Sequence, residues 1–312
     1  MRELTRSNDP VFLSYLRAEL GAEGIEALIL DGFASSVLQP VNMTALQRVM
    51  VVDEDYWRAW VVVEEVEDRL SEDPILGGRV TLLQPKSGFR AAIDPILLAA
   101  SVPAVNADQV LDVGTGTGAA ALALLARVPG VWVSGIDVQP DLIALAERSA
   151  GRNGMDERSR FQMMDVSKPD AVMRTALYDH VMSNPPFLDA ASGQMPKDPA
   201  RALATVESSS DLAGWMTFMA ARLRTGGTLS IIHRADRGDE ILAALQGGFG
   251  AAKRLSLIPL DDGRPVKRCL IQATKGAAPG PVAENSLVLH DADGSFTDQA
   301  EAVLRDGQAL TI

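Results

Sequence analysis

The 312-residue sequence predicts an α/β fold: a mostly parallel sheet with helices on both faces, preceded by a small α+β domain. Three observations carry this. From about residue 107 onward, short apolar strands alternate with helices, the pattern of a parallel sheet buried on both sides. The first of those strands runs into a glycine-rich turn at Gly114–Gly118, the usual junction of strand and helix in such sheets. Charge is also unevenly divided. Residues 1–73 hold six basic and fifteen acidic side chains, a net of −9 out of a total of −12, so the larger part carries only −3. The length exceeds what one hydrophobic core comfortably serves, which gives two domains, 1–73 and 74–312.

Residues 1–70 read as β-α-β-β-α. Asn8-Asp9-Pro10 starts a helix, because a capping side chain precedes a proline whose missing N–H costs nothing in the first turn. Val11, Phe12, Tyr15, Leu16 and Leu20 recur at helical spacing, with Gly21 as the stop. Ile25–Leu30 and Val49–Val52 read as strands. Glu54–Leu70 reads as a helix with Trp57, Trp60, Val61 and Val63 on its buried side. Ser71-Glu72-Asp73-Pro74 reads as a polar linker.

In the larger part seven strands are expected: Gln109–Val113, Val131–Asp137, Arg160–Asp165, His180–Ser183, Thr228–His233, Arg254–Pro259 and Arg268–Thr274. Helices include Pro140–Asn153 and Asp211–Leu223. The tail adds a short strand, Ser286–Leu289, and a helix, Thr297–Arg305.

Four features carry chemistry. Leu111-Asp112-Val113-Gly114-Thr115-Gly116-Thr117-Gly118 lets backbone approach a ligand closely, and fits a dinucleotide as well as another nucleoside cofactor. Asp137 ends the second strand about twenty residues later, where a carboxylate accepts from ribose hydroxyls, with Val138 beside it. Asp165, at the end of the third strand, is placed to accept from an adenine amino group. Ser183-Asn184-Pro185-Pro186-Phe187 follows the fourth strand and discriminates among cofactors. An exocyclic or amide nitrogen is a poor nucleophile because its lone pair is delocalised. Two acceptors aimed at its hydrogens, the Asn184 side-chain oxygen and the Pro185 carbonyl, hold it toward an electrophile and favour pyramidalisation. Pro185 and Pro186 preset the backbone, and Phe187 stacks on a planar group. A dehydrogenase has no use for this element.

Asn-Pro-Pro-aromatic resembles the signature of amino-methyltransferases, which implies S-adenosylmethionine as cofactor. Leu76–Ala100, the glycine turn, Asn184–Phe187, Arg264–Arg268, Leu287–His290 and Thr297-Asp298 together resemble the bacterial tRNA(Val) adenine-N6 methyltransferase family over roughly residues 75–312. That resemblance implies a Rossmann-like class I methyltransferase fold with a seven-stranded sheet. It also implies that the segment before the sheet closes over the cofactor, through Arg90 and Asp94, and that the substrate is a flipped-out adenine in a tRNA loop. An ordinary amphipathic helix is the alternative for Ile93–Ala100. Candidate RNA contacts are Arg79, Lys86, Arg90, Lys197, Arg201, Lys267 and Arg268. Phe187 stands where many relatives have Tyr. The first 70 residues resemble a small bacterial signal-transducing domain family with no catalytic motif, and its partner is unknown.

Two other functions stay open at this point. Release-factor glutamine methyltransferases share Asn-Pro-Pro-aromatic, and a cofactor-binding regulator without turnover also fits the first domain. The single cysteine, Cys269, permits no intrachain disulfide, and three scattered histidines offer no metal cluster. No apolar run approaches the ~20 residues that span a bilayer. These features predict a cytoplasmic protein without a metal.

Overall fold

The computed structural model describes residues 1–30, 46–86, 90–185 and 212–312, the side chains of Pro10 and Val11 excepted. The chain divides into two compact units, Met1–Ser71 and Glu72–Ile312.

The first unit is built from β1 (Arg2–Ser7), α1 (Pro10–Ala22), β2 (Leu28–Leu30), β3 (Gln47–Val51) and α2 (Tyr56–Val66). The strands form an antiparallel sheet in the order β1-β3-β2. Leu13, Leu16, Leu20, Ile25, Val49, Val51, Val62 and Val63 make its core. The cap of α1 is Asp9, whose Oδ1 accepts from the Phe12 N–H at 3.3 Å.

Gly21 does not end α1. The helix runs to Ala22 and closes at Gly24, which takes a left-handed φ of 69°. There the Ile25 N–H reaches back to the Leu20 carbonyl at 2.9 Å, closing a Schellman motif over two buried side chains. The same closure ends α2 at Asp68 (φ 55°), where the Arg69 N–H bonds to the Glu64 carbonyl at 2.8 Å. The helix is therefore shorter than Glu54–Leu70. Trp57 and Trp60 are half-buried rather than core. They meet edge to face at 5.9 Å, and the Arg2 guanidinium lies 3.5 Å above the neighbouring Tyr56 ring.

Ser71–Pro74, where the division between the two units falls, is extended strand rather than irregular chain. It belongs to β4 (Leu70–Ile75), which pairs with β5 (Val80–Pro85) in a two-stranded ladder. Pro74 is tolerated because a short edge strand has N–H positions with no partner to serve.

The second unit centres on one eight-stranded sheet ordered β13-β11-β12-β10-β9-β6-β7-β8. Its strands are β6 (Gln109–Val113), β7 (Trp132–Asp137), β8 (Ser159–Met163), β9 (Tyr178–Ser183), β10 (Leu223–Arg234), β11 (Phe249–Leu260), β12 (Arg268–Lys275) and β13 (Ala283–His290). All neighbours are parallel except β12, which runs antiparallel to both β10 and β11. The tail strand supplies the eighth member, parallel to β11 at the sheet edge.

The helices are α3 (Asp94–Ser101), α4 (Ala119–Arg127), α5 (Pro140–Arg152), α6 (Ala171–Thr175), α7 (Leu212–Arg222), α8 (Gly238–Ala244) and α9 (Asp298–Leu304). Strand residues alternate between two buried clusters. Val110, Met182, Ile232 and Leu270 join α3, α4, α5 and α9 on one face. Leu111, Val181, Ile231 and Ile271 join α6, α7 and α8 on the other. This is the period-2 burial of a sheet covered on both sides. Residues 95–101 of α3 are all buried, so this helix is a core element rather than an amphipathic one. No described helix is long and apolar enough to cross a membrane.

Candidate active site

In an open parallel sheet, ligands sit beyond the carboxyl ends of the strands, where the order reverses. Here that point lies between β6 and β9, and both expected motifs stand on it. Gly114, Gly116 and Gly118 all take left-handed φ values (73°, 56° and 83°), which side chains with Cβ rarely adopt. Gly118 then starts α4, and the Leu122 N–H bonds to its carbonyl at 2.8 Å.

The turn is stitched to its neighbours. The N–H groups of Gly114 and Thr115 both donate to the Ile136 carbonyl, at 2.8 and 3.0 Å. The Gly116 N–H donates to Asp137 Oδ2 at 2.9 Å, and the Gln139 N–H donates to Asp137 Oδ1 at 2.9 Å. Asp137 thus ends β7 with a backbone N–H on each oxygen and further lone pairs that can accept from a hydroxyl. Burial raises its pKa. A Cβ at Gly116 would meet nothing within 4 Å, so the middle of the turn faces open space.

Asp112 lies beneath, 2% exposed. Thr115 Oγ1 donates to its Oδ2 at 2.7 Å. Burial pushes its pKa up to about 7, opposed by the Thr115 hydrogen bond and reinforced by the Asp137 charge. Among the described residues no cation pairs with either carboxylate. A buried and a half-buried acid without a counterion among the described residues suit a ligand that brings positive charge, and S-adenosylmethionine carries both a sulfonium and an ammonium.

Asn184 follows β9 directly and is half-buried, with Pro185 buried behind it. Its Oδ1 is buried and accepts no hydrogen bond among the described residues. A buried acceptor left unpaired costs about 1–3 kcal/mol, so a donor that reached Asn184 Oδ1 would be bound favourably. Ser183, fully buried, donates from Oγ to the Val113 carbonyl at 2.6 Å and accepts from Trp215 Nε1 at 2.9 Å. Trp215 lies on α7, and a Cβ on Gly114 would stand 3.0 Å from its ring. Ser183 opens the motif that contains Asn184, which assigns it no role, and Trp215 carries no motif that marks it in the sequence.

The other expected residues divide. Val138 is exposed beside Asp137. Asp165 lies two residues past β8, because the strand ends at Met163. Its Oδ1 accepts from the Ser167 N–H and Oγ, the arrangement of a capped turn. Arg90 donates to Asp73 Oδ2 at 2.6 Å and to the Pro85 carbonyl, so it ties down its own segment. Asp94 opens α3 and pairs with Arg268 at 3.1 Å. Arg79 donates to the Arg305 carbonyl at 2.8 Å. Lys86 and Lys267 are exposed. Pro186, Phe187, Lys197 and Arg201 lie outside the described residues.

Residues 1–67 match a family model described as "putative prokaryotic signal transducing protein". Among curated proteins, the tRNA1(Val) (adenine(37)-N6)-methyltransferase of Vibrio campbellii is 26% identical over 214 residues, which cover 68% of this chain and 86% of the relative. The release factor glutamine methyltransferase of Aliivibrio fischeri is 31% identical over 142 residues, covering 44% of this chain and 49% of that protein. The crystal structure of a predicted O-methyltransferase from Agrobacterium tumefaciens superposes with a TM-score of 0.57 at 24% identity, over 70% of this chain and 99% of that one, and shows the shared fold. Residues 93–255, more than half of the chain, match the methyltransferase small domain model; the chain belongs to that family, an S-adenosylmethionine-dependent methyltransferase.

Proposed function

We propose that this enzyme transfers a methyl group to the exocyclic N6 of an adenine in tRNA. The observation that carries the reading is the Asn184 Oδ1 beside the glycine turn, which has no hydrogen-bond partner among the described residues. An adenine N6 has two hydrogens and a lone pair spread into the ring. Asn184 Oδ1 accepts one hydrogen and the Pro185 carbonyl the other, so the nitrogen is turned with its lone pair toward the crevice.

The turn Gly114–Gly118 would hold the cofactor's amino-acid part, Asp137 its ribose and Asp165 its adenine. The cofactor supplies an activated methyl group on a sulfonium, so the protein needs no strong base. Orientation does most of the work: well-placed reactants gain effective molarities of roughly 10⁵–10⁸ M. The surplus proton leaves N6 for water, since a carboxamide is too weak a base to keep it. Phe187 stacks on the base, and Lys86, Lys197, Arg201, Lys267 and Arg268 supply phosphate contacts. Similarity to the tRNA-modifying relatives covers most of their length, whereas the match to the release-factor relative covers 49% of that protein, which favours RNA over an amide substrate.

Transfer of tritium from S-adenosyl-[methyl-³H]methionine to unmodified tRNA, followed by nucleoside analysis, tests this. The expected product is N6-methyladenosine. Labelled glutamine in a release factor, with unlabelled tRNA, would overturn the substrate assignment.

A further inference from the structure

Asn184 can grip an amino group only if its carboxamide is held at a fixed place relative to the glycine turn. The prolines after it stiffen the chain on one side. What fixes it on the other side is a chain of three groups on three elements. Trp215 Nε1, from α7, donates to Ser183 Oγ at 2.9 Å, and Ser183 Oγ donates to the Val113 carbonyl at 2.6 Å. Val113 and Ser183 are the last residues of β6 and β9 and stand opposite each other in the parallel register. The next residue on one strand is Gly114 and on the other Asn184. The same indole packs against Gly114, close enough that a Cβ there would stand 3.0 Å from the ring.

From this geometry we infer that Ser183 and Trp215 are positioning residues, a clamp that sets the separation between the methyl-donor turn and the Asn184 carboxamide. The inference deepens the amino-methyl transfer proposed above and rests on it. Ser183 is fully buried, so no water replaces either hydrogen bond. A serine hydroxyl has one proton to give, and Val113 receives it, which leaves only acceptor capacity for the indole. The two bonds therefore run in one direction and cannot exchange partners. Parallel strands are already paired up to this point, so the clamp adds nothing the sheet needs. It acts where the backbone leaves the sheet, on the first free residue of each strand.

The consequence falls on turnover, not on cofactor affinity. Loss of the clamp lets Asn184 shift by a fraction of an ångström while the turn, stitched to Ile136 and Asp137, stays in place. Misplacement of about 1 Å can cost roughly 100-fold in rate.

The test is a double-mutant cycle with Ser183→Ala and Trp215→Phe on the full chain. Melting temperature, the Kd for S-adenosylhomocysteine, and KM and kcat on unmodified tRNA are measured for each variant. Each single variant should lose about 10- to 100-fold in kcat, with Kd and KM within about three-fold of wild type. The double variant should be no worse than the poorer single, because both break one clamp. Unchanged kcat with losses confined to melting temperature, or losses that multiply, would overturn the inference.

Inactivity of the wild type on tRNA would instead refute the proposed substrate. The clamp is then read from the Asn184 side-chain amide resonances in the S-adenosylhomocysteine complex, assigned by their loss in Asn184→Ala. Shifted or broadened signals in Ser183→Ala support positioning; identical signals overturn it.

Discussion

Asp112 occupies a position that is costly when the crevice is empty. Its carboxylate is buried, its one side-chain donor is the Thr115 hydroxyl, and Asp137 adds a second negative charge nearby. The folded state therefore holds a proton on Asp112 up to about pH 7, while the unfolded chain releases it near 3.8. The sign follows from linkage: between these values the native state binds more protons than the unfolded state, so stability falls as pH rises through the window. Asp112→Asn, always neutral, escapes that loss. Urea unfolding of the cofactor-free protein at pH 5 and pH 8 should show the variant gaining roughly 2–3 kcal/mol relative to wild type over the interval. A gap independent of pH would show that Asp112 is ionised throughout. At this scale the sequence was informative wherever a residue sits inside a short motif, as Asn184 and Asp137 do. It named Ser183 only as the start of the Asn184 motif and was silent on Trp215; the two lie 32 positions apart and meet only because α7 folds back over the ends of β6 and β9. Arg90 and Asp94 illustrate the opposite problem. A charged residue near a site can be bound to a neighbour, here Asp73 and Arg268, and no sequence pattern reveals it.

The glycine turn depends on a fourth glycine that stands outside its motif. Gly135, on β7, is crossed by the Phe161 ring and by Thr115 Oγ1; a Cβ would lie 2.5 Å from the ring and 2.8 Å from the hydroxyl. Gly135→Ala should therefore push Thr115 off Asp112, lower stability by roughly 1–3 kcal/mol and weaken cofactor binding at the same time. Denaturant unfolding paired with calorimetric titration checks both; a loss of stability with unchanged cofactor affinity would show that the turn adapts. Strands and helices with period-2 or 3.6 burial were legible, because a face that meets the core leaves its pattern in the chain. Element ends were less so. Gly21 carried the expected stop residue, yet α1 closes three residues later at Gly24, where Ile25 can cover Leu20. Asp68 closes α2 without any glycine. The polar run Ser71–Pro74 concealed β4, since a strand whose middle residues are exposed or half-buried needs no apolar alternation.

Across the whole molecule, the uneven charge corresponds to two units with separate cores, so the acidity of residues 1–73 says little about what the methyltransferase unit binds. The net charge of −12 alone would have argued against RNA. A sheet buried on both faces offers ligands its carboxyl edge. There Gly114 and Asn184 follow the last residues of β6 and β9, and Asp137 ends β7 on the other side of β6. The account's central claim is that the Asn184 carboxamide holds the acceptor nitrogen in front of the methyl donor. Single-turnover methyl transfer by Asn184→Ala, measured beside its Kd for S-adenosylmethionine, tests it most directly. The expected result is a Kd within about three-fold of wild type and a rate at least roughly 100-fold lower, the scale of removing one transition-state hydrogen-bonding group. A variant that transfers the methyl group at the wild-type rate would contradict the claim.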